Sequence, residues 1–186
     1  MTVLAEEEKD EDLIRATLSG DDEAFAGLVR RHKRKVFSIV ARFARNEAEL
    51  DDISQEVFVK VFQTLKKYRA EAPFEHWVSK ITINACYDQL RKQRREGHNV
   101  PLDDVAFSLG DLPKEDAGRS EALQILRPAL AKLRPEDRMV ITLLNLEEKS
   151  VREVSALTGW SEANVKVRAF RARKELKRIL EGGNGK

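Results

Sequence analysis

The sequence predicts an all-α protein of two small helical domains joined by a flexible acidic linker, on three observations. Apolar residues recur at three- and four-residue spacings along most of the 186 positions, and no segment sustains the alternation of a half-buried strand. Charged residues make up 35% of the chain and hydrophobic ones 41%, with only nine Gly and five Pro, the balance of a globular chain rich in strong helix formers. Five of those fourteen Gly and Pro fall within 97–118, GHNVPLDDVAFSLGDLPKEDAG, beside five acids and one lysine, which reads as an exposed linker. The predicted domains are thus 1–96 and 119–181, with a flexible tail over 182–186. Nine of the twelve aromatic residues lie between Phe25 and Tyr87, so the larger core belongs to the first domain.

In the first domain, SGDDEAF opens a helix, with acids in its first turn and an apolar series at Phe25, Leu28 and Val29 that resumes at Val36, Phe37, Val40 and Phe43. Asn46 breaks the series. A second amphipathic helix follows from about Glu47, carrying Leu50, Ile53, Val57, Phe58, Val61, Phe62 and Leu65. Pro73 marks the start of a third, with Phe74, Trp77, Val78, Ile81 and Ala85 ahead of the basic run Arg91 to Arg95.

The second domain reads as a helix over Arg119–Leu133, broken or kinked at Pro128, and another over Pro135–Leu146. A tight pair comes next. Ser150 caps a short helix that turns Val151, Val154 and Leu157 inward and ends at Gly159, and Ser161 caps a longer helix from Glu162 to about Leu180. Two helices joined by a short glycine turn form the helix-turn-helix pattern. At 100° per residue the longer helix turns Val165, Ala169, Ala172, Leu176 and Leu180 to the core. Asn164, Val167, Arg171, Lys174 and Arg178 face the other way, flanked by Lys166, Phe170, Arg173 and Lys177. Side chains of these types read base edges and hold phosphates, although a basic face can also be merely solvated.

The net charge of +2 hides segregation of 34 basic and 32 acidic side chains. Six acids against one lysine occupy 6–12, while seven bases and no acid occupy 30–45. The single cysteine, Cys86, excludes an intramolecular disulfide and a thiolate zinc cluster, which fits a reducing cytoplasm. The acidic start differs from a secretory signal, and no apolar run approaches a membrane span, so a cytoplasmic chain without membrane insertion is expected. Asp51, Asp52 and Glu56 could be offered as a carboxylate metal site, but His32, His76 and His98 do not supply the Glu-x-x-His partners of a dinuclear bundle. There is no phosphate-binding loop, HExxH or nucleophile elbow either, so neither an enzyme nor a cofactor is expected.

Four segments, GDDEAFAGLVRRHKRKVF at 20–37, ELDDISQEVFVKVFQTL at 49–65, APFEHWVSKITINACYDQLRKQRR at 72–95 and VREVSALTGWSEANVKVRAFRARKEL at 151–176, resemble in order and spacing those of bacterial extracytoplasmic-function sigma factors, the sigma-70 group that keeps regions 2 and 4 only. The resemblance implies a region 2 bundle in the first domain and a region 4 helix-turn-helix in the second. It implies as partners core RNA polymerase, promoter DNA and an anti-sigma factor that holds the two domains together and masks their surfaces. Carried over, Asp52, Gln55, Glu56, Phe58 and Phe62 fall in the polymerase-binding segment, with core packing the rival role for the two phenylalanines and a solvated face for the polar three. Tyr68, Arg69, Asn84, Tyr87, Asp88, Arg91, Lys92 and Arg95 fall where the family opens the promoter at its -10 element, while Phe74 and Trp77 share a helical side with Ile81 and read as core. Asn164, Lys166, Val167, Arg168, Phe170, Arg171 and Lys174 fall on the helix that the family uses at its -35 element. Ala163, Asn164 and Val165 replace a frequent Gly-Thr-Val, and Val167 holds a position often small and polar, differences that bear on promoter sequence rather than on mechanism. An ordinary duplex-binding regulator would share the helix-turn-helix but would not need the aromatic and basic stretch at 68–95.

Overall fold

A computed structural model describes residues 9–96, 126 and 128–182, and every regular element among them is helical. The first helical region comprises α1 (Asp10–Leu18), α2 (Asp22–Val40), α3 (Glu47–Thr64), a 3-10 turn (Leu65–Lys67) and α4 (Phe74–Arg95). The second has a helical turn at 128–131, α5 (Pro135–Ile141), α6 (Val151–Thr158) and α7 (Glu162–Gly182). The predicted linker 97–118, most of the predicted 119–133 helix and the tail beyond Gly182 lie outside the described residues.

Local chemistry sets the helix starts. Asp21 accepts hydrogen bonds from the Glu23 and Ala24 amides at the head of α2, and Asn46 accepts from Glu49 at the head of α3. Pro135 opens α5, where a missing amide costs no hydrogen bond. Ser150 and Glu153 form a reciprocal capping box on α6, which holds the Glu153 carboxyl below its ordinary value.

Packing follows the apolar stripes. Leu28, Val36, Val40, Leu50, Val57, Val61, Val78 and Ile83 are buried where α2, α3 and α4 meet, each worth about 1.5–3 kcal/mol of transfer free energy. One apolar cluster runs from this bundle into the second region through Met139, Val140, Leu143, Val154 and Val165. A smaller one gathers Leu130, Leu133, Ile141 and Ala172. The halves also meet through polar contacts: Arg42 Nε donates to Glu147 Oε1 at 2.9 Å and Arg138 Nη2 to the Phe43 carbonyl at 3.2 Å.

The structure departs from the sequence reading at three places. Helix α1, absent from that reading, buries Leu13, Ile14 and Thr17, a stripe of three that the surrounding acids obscure. The helix predicted over 135–146 widens into a π turn at Thr142–Leu146, and Leu180 is 37% exposed because the inward stripe of α7 outruns its neighbours. The segregated charges meet in space: Asp10 pairs with Arg31 at 2.7 Å and with His32 at 2.9 Å, Glu23 with Arg30 at 3.0 Å, and Glu75 with Lys35 at 3.5 Å. Much of the 30–45 basic block is therefore paired within the bundle.

Candidate nucleic-acid interface

The helix-turn-helix is built around Gly159, whose φ of 75° is the left-handed conformation that closes α6. Ser155 Oγ donates to the Trp160 carbonyl at 2.6 Å and Ser161 Oγ accepts from the Asn164 amide, so both sides of the three-residue turn are pinned. Beyond it, Val165, Ala169 and Ala172 are buried. Lys166, Val167, Phe170, Arg171 and Lys174 project from the opposite face, with Phe170 at 70% exposure and Val167 at 48%. A phenylalanine that open on a basic helix is not there for the core.

Two residues predicted for this face sit to one side of it. Asn164 is half-buried and accepts from Arg168 Nε at 2.8 Å, and the Arg168 guanidinium lies over the Trp160 ring at 4.7 Å. Arg178 is bound to Glu175 at 2.6 Å on the open surface.

On α4, Asn84, Asp88, Arg91, Lys92 and Arg95 are exposed along one side of the helix. Tyr87 borders them, half-buried, under the Arg91 guanidinium at 5.8 Å and edge-on to Trp160 at 5.6 Å. Burial raises the Tyr87 hydroxyl above its ordinary pKa, and its hydrogen bond to Glu136 adds to this. Arg69 is exposed. Tyr68 is half-buried, donates to the Ala72 carbonyl at 2.7 Å and packs against Phe74 and Trp77, so its hydroxyl is engaged by its own loop. Phe74 is buried and stacked on Trp77, which accords with the core role read for both.

The third surface lies between α2 and α3. Asp52, Gln55 and Glu56 are exposed on α3, Phe58 is half-buried, and Phe62 is 50% exposed while making an edge contact with Phe25 at 4.9 Å. Phe58 and Phe62 are thus part packing and part surface. With Phe25, Val29, Phe37, Val59 and Gln55 they line an open groove of about 970 Å³. Sequence reasoning missed the α2 wall of this groove and Val59, which is 53% exposed; the signal was available in the surplus of apolar positions on α3 beyond one core stripe. Among the described residues no group of three or more His, Cys, Asp or Glu could hold a metal ion, and no helix is long and apolar enough to cross a membrane.

Comparison with known proteins matches this geometry. The family model described as Sigma-70 region 2 matches residues 28–96, and that described as Sigma-70, region 4 matches residues 123–176. The ECF RNA polymerase sigma-E factor of Escherichia coli strain K12 is 31% identical over 183 residues, covering 93% of this chain and 95% of that protein. The ECF RNA polymerase sigma factor SigM of Mycobacterium tuberculosis strain H37Rv is 30% identical over 174 residues, covering 94% and 86%. Among solved structures, CnrH in complex with the cytosolic domain of CnrY superposes with a TM-score of 0.60 at 27% identity, over 93% of this chain and 97% of that one. The sigma factor RpoE of Bartonella quintana, solved with the anti-sigma factor NepR, shares the fold with a TM-score of 0.59 at 21% identity, over 84% and 96%. With a region 2 match, a region 4 match after it, and ECF sigma factors 30–31% identical over nearly the whole chain, the chain belongs to the extracytoplasmic-function group of the sigma-70 family, with a region 2 and a region 4.

Proposed function

We propose that this sigma factor divides its work among the three surfaces just described, within a region 2 over 1–96 and a region 4 over 119–181. The α3 face with Asp52, Gln55, Glu56, Phe58 and Phe62 takes core RNA polymerase, which the chain directs to promoters. The α4 side with Asn84, Tyr87, Asp88, Arg91, Lys92 and Arg95, together with Tyr68 and Arg69 ahead of it, handles the -10 element. The exposed face of α7 enters the major groove at the -35 element with Lys166, Val167, Phe170, Arg171 and Lys174, while Asn164 and Arg168 serve its edge. The observation that carries this reading is the open face of α7, where bases flank two exposed apolar side chains behind a capped glycine turn. Bases leaving the duplex stack cost a few kcal/mol each, which stacking and phosphate contacts from α4 would offset.

Such a factor acts by binding rather than by catalysis, in the cytoplasm where the polymerase is. Control by an anti-sigma factor is supported by the sigma factor RpoE of Bartonella quintana, solved in complex with the anti-sigma factor NepR. An apolar groove beside an acidic helix face suits a helix from such a partner or from the polymerase. Mixing the full chain with core polymerase on a sizing column tests the first element of the reading: coelution is expected from the wild type and not from Asp52→Lys with Glu56→Lys. Free migration of the wild type would refute the assignment.

A further inference from the structure

The α2–α3 groove and the open face of α7 match in apolar spacing and are opposed in charge. Six large apolar side chains stand open to solvent among the described residues, and four of them lie on these two surfaces: Val59 and Phe62 in the groove, Val167 and Phe170 on α7. Val167, Phe170 and Lys174 stand at i, i+3 and i+7, the spacing by which a helix lays one face into a groove. Gln55, Val59 and Phe62 repeat that span on α3, about 10 Å in each case. No acid occurs from Ala163 to Lys174, where Lys166, Arg171 and Lys174 are exposed. The groove has the opposite balance. Asp22 and Asp51 line it and Asp52 and Glu56 are exposed beside them, against Lys33, which lies over the Phe37 ring at 5.1 Å, and Lys60, which pairs with Glu56 at 2.7 Å. Ser54 lines the groove too, and its buried Oγ has no hydrogen-bond partner among the described residues, a deficit that a polar side chain of an incoming helix would satisfy.

Region 4 contributes no residue to the lining of the groove, so α7 of the same molecule does not fill it. We propose that the occupant is a second copy of this chain: α7 of one molecule lies in the α2–α3 groove of another, with Val167 and Phe170 against Val59 and Phe62 and the bases of α7 against Asp22, Asp51 and Asp52. Exchanged reciprocally, the contact closes a twofold dimer and leaves neither surface open to a third copy. Covering the four open apolar side chains supplies the attraction, and the opposed charges select α7 over an uncharged apolar helix. The association itself needs only these side chains. Its consequence rests on the proposed function, because each contact hides the polymerase surface of one copy and the -35 surface of the other. The free factor is then stored as an inert pair, which dilution, polymerase or promoter DNA draws apart by mass action.

Sedimentation equilibrium of the full chain, from about 1 to 100 µM, should show the average mass climbing from 21.2 kDa toward twice that value. Phe170→Asp sets a like charge against the acids of the groove, and Phe62→Lys sets one against the bases of α7. Each should weaken association at least about tenfold, while Leu18→Asp, at an open apolar residue on neither surface, should associate as the wild type does. Circular dichroism confirms folding of all three. Mixed in equal amounts, the Phe62→Lys and Phe170→Asp proteins should pair again, because the first supplies an intact α7 and the second an intact groove. A mass of 21.2 kDa at every concentration would leave the groove to the polymerase or an anti-sigma helix and overturn the proposal. Association that survives either surface substitution, that is lost equally in Leu18→Asp, or that fails to return on mixing would overturn it too. Neither polymerase nor DNA enters the measurement, so its failure leaves the proposed function standing, while failure of coelution with polymerase leaves the self-association standing.

Discussion

Gln93 Nε2 donates to Glu49 Oε1 at 2.8 Å, and that buried carboxylate ties the first turn of α3 to α4. Gln89 donates to the same oxygen at 2.7 Å, and Arg45 reaches Glu49 through both its amide and its guanidinium. Four donors from the α2–α3 loop and from α4 thus converge on the first turn of α3. The network sets the angle between α3 and α4 and hence between the groove and the basic stripe.

Burial by itself would raise the Glu49 carboxyl, but the bonds from Gln89, Arg45 and Gln93 outweigh it and hold the pKa below the ordinary 4.5. A group whose folded pKa is depressed stabilises the fold fully above its unfolded value, and the contribution is lost as pH falls through the folded one. Glu49→Gln should therefore cost about 1–3 kcal/mol at neutral pH and leave a shallower loss of stability below about pH 4.5. Urea melts of both proteins between neutrality and pH 3 check this, and parallel pH profiles would remove Glu49 from the account.

Phe62→Ala opens one wall of the α2–α3 groove without touching the fully buried core, so it should weaken core polymerase by about 1–2 kcal/mol while changing thermal stability far less. Competition binding against a labelled wild-type factor, with a melting curve for the same variant, measures both. An equal loss in each would make Phe62 a packing residue only.

Gly159→Ala forces a β-carbon onto a left-handed residue where no neighbour stands within 4 Å, so its cost is conformational, about 1–2 kcal/mol. Calorimetry should show region 4 destabilised. Unchanged stability would mean that the turn relaxes into another conformation.

The helices and caps of region 2 were legible because α2 and α3 start at Asp21 and Asn46, both strong caps, and carry long apolar stripes. The turn of the helix pair was legible for the same reason at Ser150 and Gly159. Helix α1 was not, because its three buried residues are too few to show a period among six neighbouring acids. Nor could spacing alone tell that Asp10 would contact Arg31 and His32, since these contacts join residues more than twenty positions apart. For the site, the period found the basic face of α7 but included Asn164, which is half-buried and engaged by Arg168. Tertiary contacts between the regions, such as Tyr87 with Glu136, leave no trace in a local pattern.

Arg171 is exposed on α7 and lies toward the major-groove side in the proposed docking. Arg171→Ala should cost about 1–3 kcal/mol on a matched upstream element and relax preference at one base pair. Lys174→Ala should instead weaken all sequences alike and flatten the salt dependence, as a phosphate contact does. Titrations on matched and scrambled elements at two salt concentrations separate these effects. Intact discrimination by Arg171→Ala would move the reading face elsewhere.

The central claim is that this chain directs core polymerase to promoters. The most direct measurement is to transcribe fragmented genomic DNA in vitro with core enzyme, with and without the purified factor, and to map the 5′ ends of the transcripts. The account expects a set of starts that appears only with the factor, shares paired upstream elements, and disappears when Arg91→Ala and Arg171→Ala are combined. The same start profile with and without the factor would contradict it.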